Sequence, residues 1–350
     1  MMDKNEITEL MEKARRGDVV AQNEMGLAYE TGDGVEQNYS EAIKWYQLAA
    51  NQGYALAQSN LGNMYFNGWG VPQNHEESVK WYRLAAEQGD GFGQYYLAEM
   101  YYYGGGVPTD YEEAFKWYLL SAQQGIVDAQ CSVGFMYENG KGVKQDYSEA
   151  LLWYKLAAEQ DDGHACMSVG NMYYNGLGVS QDFEEALKWY LMAAEQEYAP
   201  AMVNIADMYH DGKGVHQDNA ASFKWYLRAA ELDDVDGQRA VAYAYRDGAG
   251  VTQDYKKAFN WFVRAAEQDD ANAQCWLGWC YSEGLGTMKD LDEAVKWYRL
   301  AAEQGDVIAQ LNLGNIYLFE FQDKEEGLKW YRLAAEQGDP DAAQIVKEYA

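Results

Sequence analysis

The sequence predicts an all-α solenoid, and two observations lead to this fold class. Nine of the twelve tryptophans stand 36 residues apart along the chain, except for the last of them, which follows after 33. They are Trp45, Trp81, Trp117, Trp153, Trp189, Trp225, Trp261, Trp297 and Trp330. The chain also has 350 residues, 48% of them hydrophobic, whereas a single globular core rarely grows beyond roughly 250–300 residues. A fixed period in a chain of this size is typical of stacked helical repeats.

The first helix of each repeat is predicted from apolar residues at helical spacing. In the fifth repeat Val169, Met172 and Tyr173 share one helix face. A small residue beside them would let a second helix approach, and tyrosine follows it three residues later in every repeat. The small residues are Gly26, Gly62, Ala98, Gly134, Gly170, Ala206, Ala242, Gly278 and Gly314.

A glycine loop and a polar cap are predicted to lead into the second helix. Gly176 and Gly178 suit the left-handed positions that end helices. Asp182 is expected to cap the second helix, and Glu185 is expected to complete a capping box with it. The residues expected to be buried in this helix are Ala186, Leu187, Tyr190, Ala193 and Ala194. The regular recurrence of tryptophan suggests that Trp189 is buried as well.

The repeat "A-x-x-x-L-G-x-x-Y-x-x-G-x-G-V-x-x-D-x-x-x-A-x-x-W-Y-x-x-A-A-x-x-G" resembles the Sel1-like repeat, a relative of the tetratricopeptide repeat. The resemblance covers nearly the whole chain. It implies a right-handed α/α superhelical solenoid of about nine Sel1-like helix-turn-helix repeats with terminal capping helices. It also implies a non-catalytic role, because Sel1-like proteins are mostly adaptors and scaffolds for protein complexes.

The domain organisation expected from this pattern is one Sel1-like solenoid over residues 1–350. Residues 1–16 would form an N-terminal capping helix, residues 17–338 the nine repeats, and residues 339–350 a C-terminal capping helix. The ninth repeat lacks the Gly-x-Gly loop, which explains its shorter spacing. Atypical terminal repeats are usual in solenoids.

The charge of the chain narrows the classes of partner. Its 27 basic and 56 acidic residues give a net charge of −29. Such a surface repels nucleic acids and anionic membranes and attracts a partner protein with a basic surface. No apolar stretch is long enough for a membrane span or a signal peptide, and the four cysteines lack the regular spacing of disulfide-linked secreted repeats. We therefore expect a cytoplasmic protein.

No catalytic, cofactor or metal site is predicted. The glycine loops follow helices and lack the Gly-Lys-Ser/Thr sequence of a phosphate loop. His210 and His216 lie near acidic residues, but they are interpreted as solvated variants of the repeat pattern. We interpret Cys131, Cys275 and Cys280 as buried cysteines that act as small hydrophobic residues. We therefore expect a protein that is not an enzyme and that has no cofactor.

Specificity is expected at the unrepeated positions of the first helices, which line the concave surface in tetratricopeptide-like stacks. These positions share a helix face and hold aromatic and acidic residues, the types that anchor and surround protein interfaces. We predict that they bind a basic, partly apolar peptide or helix. For several aromatics the alternative is packing between neighbouring repeats. The predicted groove residues are Phe66, Tyr95, Glu99, Tyr102, Tyr103, Phe135, Tyr174, Asp207, His210, Asp211, Tyr243, Asp247, Trp279 and Glu283.

The turns between repeats carry a second unrepeated feature. Most second helices end at glycine, but four consecutive repeats carry an acidic residue there, which predicts an acidic edge. A residue other than glycine in the left-handed region costs roughly 1 kcal/mol, and aspartate tolerates that region better than most residues. The turn at glutamate is therefore expected to differ from the others. The acidic edge residues are Asp161, Glu197, Asp233 and Asp269.

The hypothesis that follows is a non-enzymatic scaffold or adaptor that binds a partner protein in a concave, aromatic and acidic groove. The alternative is a bacterial immunity or inhibitor protein that neutralises a basic toxin or effector, a use that the Sel1-like resemblance also implies. Affinity separates the two hypotheses. An immunity protein is expected to bind a single partner at nanomolar strength or better, and an adaptor more weakly.

Overall fold

The computed structural model describes residues 2–349, and every regular element in that range is helical. Met1 and Ala350, which the predicted end segments include, lie outside the described residues. The chain divides into two compact units, unit 1 (Met1–Gln181) and unit 2 (Asp182–Ala350). The helices of unit 1 are α1 (Lys4–Arg15), α2 (Val19–Thr31), α3 (Tyr39–Asn51), α4 (Ala55–Asn67), α5 (His75–Glu87), α6 (Gly91–Tyr103), α7 (Tyr111–Gln123), α8 (Val127–Asn139), α9 (Tyr147–Ala158) and α10 (Gly163–Asn175).

Unit 2 continues the same alternation of first and second helices. Its helices are α11 (Phe183–Glu195), α12 (Ala199–Asp211), α13 (Asn219–Glu231), α14 (Val235–Asp247), α15 (Tyr255–Ala266), α16 (Ala271–Glu283), α17 (Leu291–Glu303), α18 (Val307–Asn315), α19 (Lys324–Glu336) and α20 (Pro340–Tyr349). A π-helical turn, Ile316–Glu320, extends α18. The all-α repeat fold is confirmed, whereas one continuous solenoid domain over residues 1–350 stays a prediction. No helix within residues 2–349 has the length and apolarity needed to cross a membrane.

In five repeats the small residue of the first helix is a glycine that lies directly against a tyrosine ring of the second helix. A Cβ atom added at Gly62 would lie 2.5 Å from Cε1 of Tyr82, and one added at Gly278 would lie 2.5 Å from Cδ1 of Tyr298. Real Cβ atoms do not approach ring carbons this closely, so a side chain here would force the two helices apart. The contact explains why the position holds only a small residue, glycine or alanine.

The repeated tryptophan is half-buried in eight of the nine repeats, Trp330 being the buried exception, and the prediction for Trp189 is wrong. Its indole is half-buried, while the adjacent Tyr190 is only 2% exposed. Leu187, also predicted to be buried, is half-buried. The tyrosine occupies the interior of the helix pair, and the tryptophan packs between neighbouring repeats; Trp81, for example, contacts the core around Tyr46.

The predicted caps form, but the capping box at Glu185 is wrong. The Asp182 side chain accepts a hydrogen bond from the backbone N–H of Glu185 at 2.9 Å, and the Glu185 carboxylate pairs with Lys188 at 2.7 Å. At the equivalent cap Asp146 the reason is visible, because its own N–H already donates to the Tyr137 carbonyl at 3.0 Å. In a capping box the glutamate carboxylate accepts a hydrogen bond from the backbone N–H of the cap residue. Here that N–H already has a partner, so the second bond of the capping box does not form.

Buried glutamines link consecutive helices, a feature that sequence reasoning missed. The Gln58 amide donates to the Ala50 carbonyl at 3.2 Å, and the Gln88 amide donates to Gln58 at 2.6 Å. One buried side chain thereby connects α3, α4 and α5. The same pairing recurs at Gln52–Gln22, Gln124–Gln94, Gln160–Gln130, Gln268–Gln238, Gln304–Gln274 and Gln337–Gln310.

The turns that carry the predicted acidic edge share one backbone conformation. Asp161, Glu197, Asp233 and Asp269 have φ angles of 61°, 55°, 62° and 62°. The expectation that the turn at Glu197 differs is therefore wrong. A Cβ atom at the equivalent Gly53 would meet no atom within 4 Å, so the turn has room for a side chain and only the left-handed φ opposes it.

Candidate functional site

Most of the predicted groove residues line four pockets along the first helices. Pocket A, of about 400 Å³, includes Phe66, Tyr95 and Glu99. Pocket B, of about 240 Å³, includes Glu99, Tyr102, Tyr103 and Phe135. Pocket C, of about 260 Å³, includes His210, Tyr243 and Asp247, and pocket D, of about 310 Å³, includes Glu283. Pockets A and B belong to unit 1, and pockets C and D belong to unit 2.

Pocket A lies between consecutive first helices. Phe66 comes from α4, and Tyr95 and Glu99 come from α6, which packs against α4. The pocket also holds Tyr96, whose ring contacts the Tyr95 ring at 5.4 Å between centroids, and Trp69, which is 38% exposed. Sequence reasoning missed both residues, although each stands at an unrepeated position.

Pocket B presents two exposed aromatic rings of unit 1. Tyr103 is 72% exposed and Phe135 is 40% exposed. Lys141 lies over the same surface: its Nζ donates to the Tyr102 hydroxyl at 2.8 Å and lies 5.1 and 5.4 Å from the ring centroids of Tyr102 and Phe135. Cation–π contacts of this kind fix the orientation of aromatic rings. Pocket B is therefore a preformed aromatic surface that holds a positive charge.

Two unrepeated positions contribute to the pockets and were absent from the predicted set. The first is the residue between the two loop glycines, which is Trp69 in pocket A and Ala249 in pocket C. Lys141, beside pocket B, occupies the same position. The second position lies two residues before the small glycine or alanine of the first helix. It holds Tyr96 in pocket A and Ser132 in pocket B. Variability between repeats at these positions was the signal that could have revealed them.

The predicted carboxylates Glu99 and Asp207 have partners inside the repeat. The Tyr118 hydroxyl donates to Glu99, and the Tyr226 hydroxyl donates to Asp207. Burial raises the pKa of the Glu99 carboxyl, and the hydrogen bond from Tyr118 acts in the opposite direction. Burial likewise raises the pKa of Asp207, and the Tyr226 hydroxyl opposes it. Each carboxylate therefore accepts a hydrogen bond from the second-helix tyrosine of its own repeat.

Pocket C combines aromatic rings with an internal ion pair. The Arg246 guanidinium lies 4.8 Å from the Tyr243 ring centroid and 4.1 Å from that of Trp276. It also binds both Asp247 oxygens, with its Nε 2.7 Å from Oδ1 and its Nη2 2.6 Å from Oδ2. This pair lowers the pKa of Asp247. The charges of this surface are therefore largely neutralised within the chain.

The remaining predicted groove residues lie apart from the pockets. The Trp279 ring contacts that of Trp276 edge-on at 5.1 Å, and Asp211 forms an ion pair with Lys213 at 3.1 Å. Tyr174 is half-buried on α10. The predicted acidic edge residues are all exposed, and Asp233 pairs with Arg264 at 2.6 Å. Partner binding by either set stays a prediction.

The cysteines and histidines are arranged differently from the expected pattern. Cys275 and Cys280 are buried as predicted, and burial raises the pKa of the Cys280 thiol to about 11. Cys131 is only half-buried, and together with His164 it lines pocket B. Within residues 2–349 one group of three potential metal ligands is found, namely Cys131, Asp162 and His164; it includes neither His210 nor His216.

Known proteins resemble this chain in both sequence and fold. A crystal structure of a protective antigen present in uropathogenic Escherichia coli strains, which displays an SLR fold, is 37% identical, with a TM-score of 0.71 and coverage of 97% of this chain and 73% of that one. A Sel1 repeat protein from Oxalobacter formigenes is 34% identical, with a TM-score of 0.71 and coverage of 88% and 89%. No curated protein matches the sequence.

An immunity protein from Pseudomonas aeruginosa is also similar, at 17% identity over 64% of this chain and 81% of that one, but its TM-score of 0.38 is too low to support the immunity hypothesis.

The Sel1 repeat family model matches residues 19–54, 55–90, 91–126, 127–162, 163–198, 199–234, 235–270, 271–306 and 307–339. Proteins built from these repeats generally bind other proteins and are typically non-enzymatic scaffolds. With nine matched repeats, the chain belongs to the Sel1 repeat family.

Proposed function

We propose that this protein is a non-enzymatic scaffold that binds a partner protein at pocket B, with pocket A as an extension of the same surface. The observation that carries the proposal is the exposure of Tyr103 on α6 and Phe135 on α8, at 72% and 40%, in a pocket that also holds Tyr102 and Tyr118. The repeated residues are accounted for by packing between helices. These two rings occupy unrepeated positions and are largely open to solvent.

The physical basis of binding is the burial of these rings. A large aromatic side chain supplies much apolar area and loses little conformational entropy, and such residues dominate the energetics of interfaces. Lys141 already fixes the rings of Tyr102 and Phe135, so part of the ordering cost is met before a partner arrives. Glu99 and the tyrosine hydroxyls provide polar groups at the edge of the apolar surface.

The proposed partner carries a basic surface around an apolar segment. The net charge of −29 produces an attractive field for such a protein and accelerates its encounter with the chain. At the pocket itself, Lys141 favours a carboxylate or a carbonyl oxygen in the docked segment. We further propose a cytoplasmic location, because reducing conditions keep cysteines such as Cys131 and Cys166 as thiols.

Comparative affinity purification from the native cell tests this function. The bait proteins are the wild type, the double variant Tyr103→Ala/Phe135→Ala, and Leu120→Ala as a matched control. Leu120 is 44% exposed on the second helix α7, so its truncation removes a similar kind of exposed apolar group away from pocket B. Circular dichroism checks that all three proteins have the same helical content.

We expect a specific protein to co-purify with the wild type and with Leu120→Ala, and to be lost with the double variant. Identical sets of co-purifying proteins for all three baits would contradict the proposed binding surface. Repeating the purification at low and high salt measures the ionic contribution. A partner with a basic surface should be captured less well at high salt, since screening weakens exposed charge interactions.

A further inference from the structure

We infer that Cys131, Asp162 and His164 form a Zn²⁺ site in the wall of pocket B. Each side chain offers one ligand atom, and these three atoms all lie within 4.8 Å of one another. They are the Cys131 Sγ, an Asp162 carboxylate oxygen and an imidazole nitrogen of His164. Cys131 belongs to α8 and the other two residues to the start of α10, in the next repeat, so the stacking of these two helices brings the three side chains together. This inference goes beyond partner binding and does not depend on it.

The geometry requires only small movements to hold a metal ion. Tetrahedral Zn²⁺ has bonds of about 2.3 Å to sulfur and about 2.0 Å to nitrogen or oxygen, which place the ligand atoms roughly 3.5 Å apart. The Cys131 Sγ already lies 3.7 Å from the Asp162 Oδ1. His164 is exposed, so its ring can complete the set by rotating about its side-chain bonds.

The position of Asp162 is fixed by its second role in the fold. It is the N-cap of α10, and its Oδ1 accepts a hydrogen bond from the Ala165 N–H at 2.6 Å. Hydrogen bonds to a ligating group orient it and are a regular part of metal sites. His164 lies two residues after the cap, within the first turn of the same helix, and it is therefore carried on the same rigid element.

The chemistry of the three side chains selects the ion. A thiolate, an imidazole and a carboxylate are the ligands that Zn²⁺ uses, whereas Mg²⁺ and Ca²⁺ prefer sites built from oxygen atoms alone. Three protein ligands leave a fourth position for water or another donor. Cys131 and His164 both line pocket B, so that fourth position faces the pocket.

The same chain contains a matched site that lacks one ligand. Four repeats further on, Cys275 and Asp306 stand at the positions of Cys131 and Asp162, and burial together with the nearby Asp306 carboxylate raises the pKa of the Cys275 thiol. Ile308, which is 64% exposed, stands at the position of His164. The contact between cysteine and aspartate alone is thus a recurrent packing feature, and the histidine distinguishes the proposed site.

Metal titration of the purified full-length chain tests the inference. The protein is treated with a chelator under reducing conditions, and Zn²⁺ binding is followed by calorimetry, with Co²⁺ as a spectroscopic probe. We expect one Zn²⁺ per chain and, with Co²⁺, a near-ultraviolet thiolate charge-transfer band. Because a cysteine binds Zn²⁺ as the thiolate, binding releases a proton, and the affinity should increase with pH.

Single substitutions assign the ligands. Cys131→Ser should abolish the charge-transfer band, and His164→Gln should weaken Zn²⁺ binding at least tenfold, while Cys275→Ser should leave both unchanged. Absence of Zn²⁺ binding to the wild type, or binding that is unaffected by both Cys131→Ser and His164→Gln, would overturn the inference. Ile308→His should create a second site with the same band, and failure to gain it would contradict the claim that these three side chains suffice.

Discussion

Helices α6 and α14 are first helices four repeats apart, and the same positions carry different chemistry in each. On α6 these positions hold Tyr95, Glu99, Tyr102 and Tyr103, and on α14 they hold Arg239, Tyr243, Arg246 and Asp247. The charges of α14 are paired within unit 2: Arg239 binds Asp236 and Asp270, and Arg246 binds Asp247. On α6, Tyr103 remains 72% exposed. The fold positions both helices in the same way. Of the two, α6 is the helix that exposes a large apolar side chain to solvent.

The difference extends into the core beneath each helix. Under α6 the second-helix aromatic is Tyr118, whose hydroxyl donates to Glu99. Under α14 it is Phe262, whose ring meets that of Tyr243 edge-on at 5.4 Å. A polar pair in one repeat is replaced by an apolar pair in the other. This comparison teaches that core and surface positions change together, and that an acidic residue on a first helix is not by itself a binding residue.

The largest expected effect concerns the buried aromatic residue that stands at the same position in both repeats, Tyr118 in one and Phe262 in the other. Tyr118→Ala and Phe262→Ala should each lower the free energy of unfolding by about 3–5 kcal/mol, because each removes a ring that is at most 2% exposed. Urea denaturation measures the loss. The half-buried neighbour Trp117 serves as the control, and Trp117→Ala should cost less than Tyr118→Ala. The reverse order would contradict the assignment of tyrosine to the interior.

Removal of the Tyr118 hydroxyl alone tests the polar pair under α6. Tyr118→Phe should cost about 1–3 kcal/mol of unfolding free energy, since it leaves the half-buried Glu99 carboxylate without its donor. Phe262 shows that a phenyl ring fits this position when the residue above it is apolar. In a Glu99→Leu background the cost of Tyr118→Phe should therefore shrink, and an unchanged cost would show that the pair is not coupled.

A smaller effect is expected from the charge of Glu99. Burial raises its folded-state pKa, so the folded state binds this proton more tightly than the unfolded state does. Stability from this group is complete below the unfolded pKa of about 4.3 and is lost as pH rises through the raised folded pKa. Glu99→Gln keeps an acceptor for Tyr118 without the charge. It should be more stable than the wild type at pH 7, and the difference should vanish near pH 4; a constant difference would contradict this account.

The smallest effect is expected on the α14 surface. Arg246→Ala removes cation–π contacts to Tyr243 and Trp276 and should lower the free energy of unfolding by about 0.5–1 kcal/mol. Arg246→Lys keeps the charge but loses the bidentate bond to Asp247, and it should recover only part of the loss. Full recovery by lysine would show that charge alone matters at this position.

The sequence predicts the fold well because the repeated positions are the packing positions. Periodic Gly62 and Gly278 report helix contacts directly, since only a small residue fits against the aromatic ring. The identity of the most buried aromatic is harder to predict. The tryptophan at the position of Trp189 recurs in all nine repeats, and the tyrosine at the position of Tyr190 recurs in eight of them. Recurrence therefore does not reveal which ring points inward and which contacts the neighbouring repeat.

The pocket residues are predicted only in part, and the reason is again geometric. Helical periodicity identifies which residues share a face with Tyr95 and Tyr102, and those residues do line pockets A and B. It says nothing about loop residues such as Lys141, whose reach depends on the turn geometry. It also cannot bring Cys131 next to His164, because their contact depends on how two successive repeats stack.

Pocket B, rather than pocket C, is the proposed binding site for the partner protein. The most direct test is calorimetric titration of the partner, once captured, against the double variant Tyr103→Ala/Phe135→Ala and, separately, against Tyr243→Ala. We expect the pocket B variant to weaken binding at least tenfold, or by about 1.4 kcal/mol, and the pocket C variant to bind like the wild type. Equal losses, or a loss confined to Tyr243→Ala, would contradict the claim.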